Sequence, residues 1–381
     1  MAICESLPQR GAVRVVHLSS VHRADDSRIY WKECLSLARA GYDVSFVVSD
    51  DREVISEDVN IVPVRRRSGR IARMLATTID VVLAGLRRRG LIYHFHDPEL
   101  IPAGLLLRTL GKHVIYDVHE DVPRNLLIRD WIRPGLRGPV SRVAAAVEWV
   151  AGRTLSGFVA ATPTIARRFP EARTVLVQNF ASKSELAIEA DATRRTGHGV
   201  AYVGSITAVR CAMEVVEAIA GVKRFPDAVL VMAGEISPPS LTEGLTASPG
   251  WSRVDYRGYQ DRVGIRRLLA ECRVGLALYH PVQSYMESQP VKIFEYMAAG
   301  IPVIAADFPR FREIVEGNRC GLCVPPCDVA AIAAAMEWIF EHPEESENMG
   351  KRGREAVLKS LNWETEEREL LRFYERIIHS N

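Results

Sequence analysis

The chain has 381 residues, 48% of them hydrophobic and 25% charged, with a formal net charge of +2. That length is too great for one typical domain and comfortable for two, and the composition is that of a globular protein, not a disordered or fibrous one. No apolar run approaches the roughly 18 residues of a membrane span, and residues 1–12 lack the apolar core of a secretory signal, so a cytoplasmic location is expected.

The first series of elements opens at "VRVVHLSS" (13–20), a strand. Asp26 is placed to cap the helix through "RIYWKECLSLARAG", which ends at Gly41. "DVSFVVSD" and "NIVPV" follow as strands. The segment 65–90 is strongly basic, with eight arginines against one aspartate and with Ile71, Leu75, Ile79, Val82 and Leu86 at helical spacing. A solvated helix and a basic amphipathic helix at an anionic membrane surface both fit it. Residues 1–190 hold 27 Lys and Arg against 21 Asp and Glu, and the remainder 22 against 26, so the halves differ in sign. With so modest a surplus and no recognition module, no nucleic-acid partner is expected. Next come strand "LIYHFH" (91–96), helix "ELIPAGLLLRTLG", strand "HVIYDVH" (113–119), a helical stretch through "VSRVAAAVEWVAGRTL", and strands "GFVAAT" and "TVLVQN".

The polar, weakly patterned stretch 180–199 reads as a linker. A second series runs from strand "VAYVG" (200–204) through helix "MEVVEAIAGV", strand "AVLVMAG", helix "IRRLLAECR" and strand "VGLALY" to the segment 287–307. "FREIVEG", "CGLCV" and helix "DVAAIAAAMEWIFEH" come after it, and "NWETEERELLRFYERIIHS" closes the chain as a helix with Asn362 as N-cap. The seven cysteines are odd in number and read as reduced thiols. The trio Cys320, Cys323 and Cys327 lacks a nearby fourth metal ligand, and its segment also reads as a strand running into a Pro-rich turn. Strands alternating with helices imply parallel sheets covered on both faces, with ligands beyond the C-terminal strand ends. No G-x-G-x-x-G follows either first strand and no Walker A motif occurs, so hydride transfer and ATP hydrolysis lack support.

In "ESQPVKIFEYMAAGIPVIAAD" (287–307), Pro290 suits the first turn of a helix, and Gly300 with Pro302 its end. Glu287 falls in the loop entering that helix, and Glu295 one to two turns inside it. The free N–H groups and dipole of a helix start attract phosphate, and Lys292 adds a full positive charge there. Such a line suits a nucleotide-diphosphate sugar: phosphates on the helix start and Lys292, ribose hydroxyls on one carboxylate, the sugar against the other. The spacing also allows a plain Lys292–Glu295 surface pair at i,i+3.

The same stretch resembles the E-x7-E signature of the retaining glycosyltransferases of the GT-B fold, glycosyltransferase family 4, in the branch whose helix reads P-x-K-[IL]-F-E-Y-M-A-A-G-x-P-V-I. "VHLSSVHRADDSRIYWKECLSLARAGYDV", "YHFHDPELIPAGLLLRTLGKHVIYDVHEDVP", "AYVGSITAVR" and "FREIVEGNRCGLCVPPCDVAAIAAAM" resemble further segments of that family. The resemblance implies an α/β GT-B fold of two Rossmann-like doubly wound domains facing across a cleft. Residues 1–182 would form the acceptor-side domain and 183–361 the nucleotide-sugar domain, with a terminal helix, 362–381, crossing back to the first.

Residue roles are implied too. Glu287 matches the catalytic-side glutamate that faces the donor sugar, and Glu295 the one that binds the nucleotide ribose. In "GSITAVRC", Gly204 and Arg210 match the glycine and the basic residue of the donor-phosphate pattern G-R-x5-[KR]-G. Ser205 stands where an arginine is common and Cys211 where a glycine is common; Lys292 compensates for the missing cation. His119 matches the histidine near the transferred sugar, and His96, Asp97 and Arg28 are further acceptor-side candidates. The implied function is a retaining transferase moving a sugar from a nucleotide-diphosphate sugar to a saccharide or lipid-linked acceptor, in cell-surface polysaccharide or glycolipid biosynthesis. Arg210, Lys292 and backbone N–H groups would stabilise the departing diphosphate. No D-x-D triplet occurs, and no metal or other cofactor is expected. A sugar-nucleotide 2-epimerase of the same fold and a non-catalytic nucleotide-sugar-binding protein are the competing expectations. Segment 65–90 would place the protein peripherally at the inner face of a membrane, where a phosphate-bearing lipid acceptor would lie.

Overall fold

Two α/β units are formed, Met1–Gln178 with Glu366–Asn381 and Asn179–Thr365. The computed structural model describes residues 12–51, 55–65, 67, 76–127, 129, 131–183, 197–286 and 288–379. Glu287, Arg66, Ile71, Leu75 and most of the expected linker lie outside the described residues.

The first unit carries strands β1 (Arg14–Ser19), β2 (Asp43–Ser49), β3 (Asn60–Val64), β4 (Ile92–Phe95), β5 (His113–Val118), β6 (Gly157–Ala160) and β7 (Thr174–Leu176). All pair in parallel, in the order β3-β2-β1-β4-β5-β6-β7. Their β-branched and aromatic runs are buried on both faces, as a sheet covered by helices requires. The covering helices are α1 (Leu35–Arg39), α2 (Thr78–Arg87), α3 (Ile101–Thr109), α4 (Val122–Leu127), α5 (Pro134–Thr154) and α6 (Pro163–Ala166). The strand order reverses between β1 and β4, and side chains there can converge beyond the strand ends. Register sets His17 of β1 beside His94 of β4.

Where a continuous helix is expected after Asp26, the chain first makes a π-helical turn, Ile29–Cys34, and only then α1. The Asp26 carboxylate accepts the N–H groups of Arg28 and Ile29 at 2.9 Å each, so the expected cap is made. The wider turn brings Arg28 Nε to 3.1 Å from the Glu33 carboxylate, both buried; π turns often mark functional sites. In segment 65–90, α2 buries Val81 and Gly85 and exposes Ile79 and Leu83.

The second unit holds β8 (Gly199–Val203), β9 (Val229–Ala233), β10 (Val254–Tyr256), β11 (Val274–Ala277), β12 (Val303–Ala306) and β13 (Gly321–Val324). They too are parallel, in the order β10-β9-β8-β11-β12-β13. Its helices are α7 (Ala212–Gly221), α8 (Leu241–Ala247), α9 (Arg262–Glu271), α10 (Gln283–Met286), α11 (Val291–Ala298), α12 (Pro309–Val315), α13 (Val329–Glu341) and α14 (Pro343–Lys359). Last comes α15 (Trp363–His379), where Asn362 Oδ1 accepts the Thr365 N–H at 3.0 Å as an N-cap. From Glu366 onward α15 belongs to the first unit, and Gly157 makes room for it: a Cβ there would lie 2.3 Å from the Phe373 ring. Among the described residues no helix is long and apolar enough to cross a membrane.

Helix α11 begins where Pro290 requires and is fixed by one buried tyrosine. Tyr296 accepts the Val203 N–H at 3.1 Å and donates to the Leu276 carbonyl at 3.2 Å, tying the helix to the ends of β8 and β11. Gly275 lies flat beneath its ring; a Cβ there would stand 2.3 Å from it. Gly275→Ala is therefore expected to destabilise by about 1–3 kcal/mol through overpacking. Urea unfolding should show a lower midpoint at unchanged slope. The control Gly244→Ala, in α8 with 3.6 Å to the nearest atom, should not lower it.

Candidate active site

In the second unit the site is built on the loop after β8. Gly204 has φ +102° and Gly234, after β9, φ +150°. A Cβ on Gly234 would lie 2.0 Å from the Gly204 carbonyl oxygen, so the two loops touch backbone to backbone only because glycine is there. Gly204 N–H donates to the Ala233 carbonyl at 2.9 Å. Tyr202 Oη donates to the Arg210 carbonyl at 2.9 Å, and the His280 N–H to the Val209 carbonyl at 2.9 Å, so the turn carrying Arg210 is held from both sides. Cys211 follows at φ +55°, which explains why a glycine suits that place.

Against this loop stands Lys292, on the first turn of α11. It is 7% exposed, and its Nζ has no hydrogen-bond partner. It is thus not the solvated surface pair with Glu295 that the spacing also permits. Its Nζ lies 4.8 Å from the centre of the Tyr202 ring and 5.2 Å from that of Tyr279, over which the Arg210 guanidinium also stands, at 5.9 Å. Burial, and next the Arg210 charge, lower the Lys292 ammonium to about 7. Glu295, half-buried, opposes that shift. Ser205 is exposed, and its carbonyl lies 3.5 Å from Arg210 Nη1. Gly204, Ser205, Arg210, Lys292 and Glu295 are therefore brought together, whereas Glu287 lies outside the described residues. Arginine, lysine and two tyrosines beside a loop packed through glycines make a cationic cluster that fits an anion.

In the first unit the organising group is Asp117, on β5. Arg28 donates to both its oxygens, at 3.0 and 2.9 Å, and to the Val177 carbonyl at 2.8 Å. His96 Nδ1 lies 3.1 Å from the same carboxylate. Burial pushes the Asp117 carboxyl up, but Arg28, His119 and His96 outweigh it and hold it well below the usual carboxylate range. His119, just after β5, has its Nδ1 3.5 Å from Asp117, and neither ring nitrogen makes a hydrogen bond. Its ring stacks on His96 at 5.6 Å and meets His22 edge-on at 5.4 Å. Burial lowers the imidazole to about 4, so it is neutral near pH 7. Asp97 accepts from Ser19 Oγ at 2.8 Å and Ser20 N–H at 2.7 Å, and pairs with His22 at 3.2 Å. Arg28, His96 and His119 thus share one network, while Asp97 pins the loop after β1 beside it.

Asp117, His17, His94, His22 and Tyr374 escape the sequence reading. His96 Nε2 meets His17 Nδ1 at 2.9 Å, His17 Nε2 lies 3.4 Å from Tyr374 Oη, and that hydroxyl meets His94 Nδ1 at 2.7 Å. The available signal was alternation: 117 and 119 share a strand face, as do 94 and 96. Donor atoms of metal-ligand type also gather at His17, Glu33, His94 and His96, at His96, Asp117 and His119, and at Cys211, Glu214 and His280, each set within 4.8 Å. Among the described residues Cys320, Cys323 and Cys327 form no such group.

Residues 188–356 match the family model described as glycosyl transferases group 1. The phosphatidyl-myo-inositol mannosyltransferase of Mycobacterium leprae is 24% identical over 295 residues, 76% of this chain and 74% of that protein. Among solved structures, sucrose-phosphate synthase of Thermosynechococcus elongatus superposes with TM-score 0.73 at 20% identity, covering 97% of this chain and all of that one. Anabaena Alr3699/HepE in complex with UDP-glucose gives 0.67 at 13% identity, covering 95% of this chain and 99% of that one. The fold is that of the GT-B glycosyltransferases, and the matches support a group 1 glycosyltransferase: the chain is an enzyme of glycosyl transfer.

Proposed function

We propose that the protein moves a sugar from a nucleotide-diphosphate sugar to a saccharide or lipid-linked acceptor with retention of configuration, in cell-surface polysaccharide or glycolipid biosynthesis. The observation that carries this reading is the buried Lys292 ammonium, without a hydrogen bond and beside Arg210. A diphosphate would supply its missing partner, and as the leaving group it would gather the charge that both cations stabilise. Glu295 would take the ribose, Gly204 and Ser205 the phosphates by backbone approach, and Glu287 the sugar. His119, with both ring nitrogens unbonded, would meet the transferred sugar or the acceptor hydroxyl. His96, Arg28 and Asp97 would position it. A domain division near 182 and 361, a cleft closing over the donor, and independence from metal belong to the same proposal. The UDP-glucose bound by HepE and the phosphatidyl-myo-inositol named for the mycobacterial relative favour a nucleotide donor and a lipid acceptor. Segment 65–90, with Ile79 and Leu83 exposed, would then contact an anionic membrane surface.

A thermal-shift panel of nucleotide-diphosphate sugars should raise the unfolding temperature for the true donor by mass action. Lys292→Met should weaken that donor about 10- to 100-fold, the loss of one or two charge-assisted hydrogen bonds. It should leave the donor-free protein as stable or more so, because it removes an unpaired buried charge. A variant that loses stability and keeps affinity would assign Lys292 a structural role instead.

The pH dependence has a definite sign. Lys292 in the donor-free protein is held at about 7, and a bound diphosphate raises it, so binding takes up a proton above pH 7. Donor affinity should fall as pH rises from 7 to 9, by up to about tenfold per unit, and Lys292→Met should flatten that slope in calorimetric titrations.

Incubation with the donor alone separates transfer from isomerisation. The sugar should be recovered with its configuration unchanged at every carbon that hydrolysis leaves intact. Epimerised sugar in the absence of acceptor would favour the 2-epimerase.

A further inference from the structure

Three side chains of metal-ligand type converge beside the turn that carries Arg210. Cys211 stands directly before α7 and Glu214 in its first turn, so the two share a helix face at i,i+3. His280 comes from the other side, on the loop after β11, and its N–H bond to the Val209 carbonyl seats it against the same turn. One donor atom from each, the Cys211 thiol sulfur, a Glu214 carboxylate oxygen and a His280 ring nitrogen, lies within 4.8 Å of the others. Glu214 Oε1 is 2.6 Å from His280 Nε2, while Glu214 Oε2 is buried and makes no hydrogen bond. Cys327, exposed in the turn before α13, is close enough to act electrostatically on both Cys211 and Glu214.

A plain Glu214–His280 hydrogen bond explains two of these groups. It leaves the second Glu214 oxygen unmatched and gives no role to Cys211, whose φ of +55° is a conformation that side chains rarely adopt. A borderline-soft divalent cation accounts for all of them. Thiolate and imidazole select zinc over magnesium or calcium, and a carboxylate completes such sets. In a tetrahedral zinc site the donor atoms stand about 3.3–3.8 Å apart, at bond lengths of roughly 2.0–2.3 Å. Side-chain rotations alone can therefore close a set already within 4.8 Å. We propose that Cys211, Glu214 and His280, with Cys327 in the fourth position, bind a zinc ion. The proton between Glu214 and His280 and those of the two thiols leave for solvent as the bonds form. The ion ties the start of α7 to the loop after β11 and to the turn before α13, and so fixes the turn carrying Arg210. None of the four side chains is assigned to donor or acceptor above, so the ion is structural and the inference does not rest on the transferase reading.

The test is a titration of the full chain, reduced and freed of metal by chelator, with Co2+ and then with Zn2+. One equivalent of Co2+ should produce a thiolate-to-cobalt charge-transfer band and the intense visible bands of a tetrahedral site, and Zn2+ should displace it. Cys211→Ser should diminish the charge-transfer band and weaken Co2+ at least about tenfold. Glu214→Gln and His280→Gln should weaken Co2+ as much while keeping the band at saturation. Cys323→Ser, outside the set, should change nothing, and circular dichroism should be the same for all. A wild type without the tetrahedral spectrum at one equivalent overturns the proposal. So does a spectrum and affinity unchanged in Cys211→Ser or in His280→Gln, or a loss in Cys323→Ser, which would move the ion to another thiol. No sugar enters the assay, so its failure and that of the transferase reading are distinguishable.

Discussion

A lysine amine with no hydrogen bond, buried in the second unit beside a second cation, is the constraint on which the site depends. Burying an ammonium without a partner is costly, and a second cation, Arg210, makes it worse. The fold offsets part of this through the faces of Tyr202 and Tyr279, a cation–π arrangement that weakens neither charge. The remainder is relieved by depressing the ammonium toward neutrality. A protein gains nothing in stability from such an arrangement. On the reading proposed its use would lie in the anion that completes it, beside the two loops that glycines 204 and 234 let meet backbone to backbone.

The first unit solves the reverse problem. Asp117 is a buried anion, and Arg28 spans its two oxygens while also meeting Glu33. The carboxylate then fixes His96, and through His17 the order reaches the Tyr374 hydroxyl on α15. The last helix is thus joined to the strand ends that carry His119 by hydrogen bonds as well as by the packing of Phe373 over Gly157. Removing any member strands a buried polar partner, so the network is specified as a whole.

Much of this frame was legible in the sequence because it follows from local rules. Alternating apolar runs and helical segments give parallel sheets, Pro290 and Gly300 bracket α11, and Asp26 and Asn362 sit where their caps form. What escaped is long-range or too short to carry a period. Strand β10 has three residues. The π-helical turn, with Arg28 beside the buried Glu33, follows from no spacing in the sequence. Tyr296 reads as one more apolar residue of α11, although its hydroxyl holds the helix to two strands. Helix α5 was legible as a helix, but which side faces in was not. Glu148 and Ser141 face inward, paired with Arg168 and the Pro123 carbonyl, and Val147 packs on the core while Val143 is exposed. Lys292 shows the same limit: its spacing to Glu295 fits a surface pair, and only burial separates the two readings.

The protonation of His119 bears on where a proton would go during transfer. An imidazole held at about 4 is a weak base near pH 7, and Asp117, committed to Arg28 and His96, cannot relay through it without losing those bonds. On the reading proposed, His119 would orient a hydroxyl by hydrogen bonding and would not deprotonate it. The strongest acceptor left is an oxygen of the departing diphosphate, whose basicity grows as the glycosidic bond breaks. Such an oxygen would be bound, on that reading, by Lys292 and Arg210. The same bound oxygen would then take both the stabilising charge of Lys292 and Arg210 and the acceptor's proton.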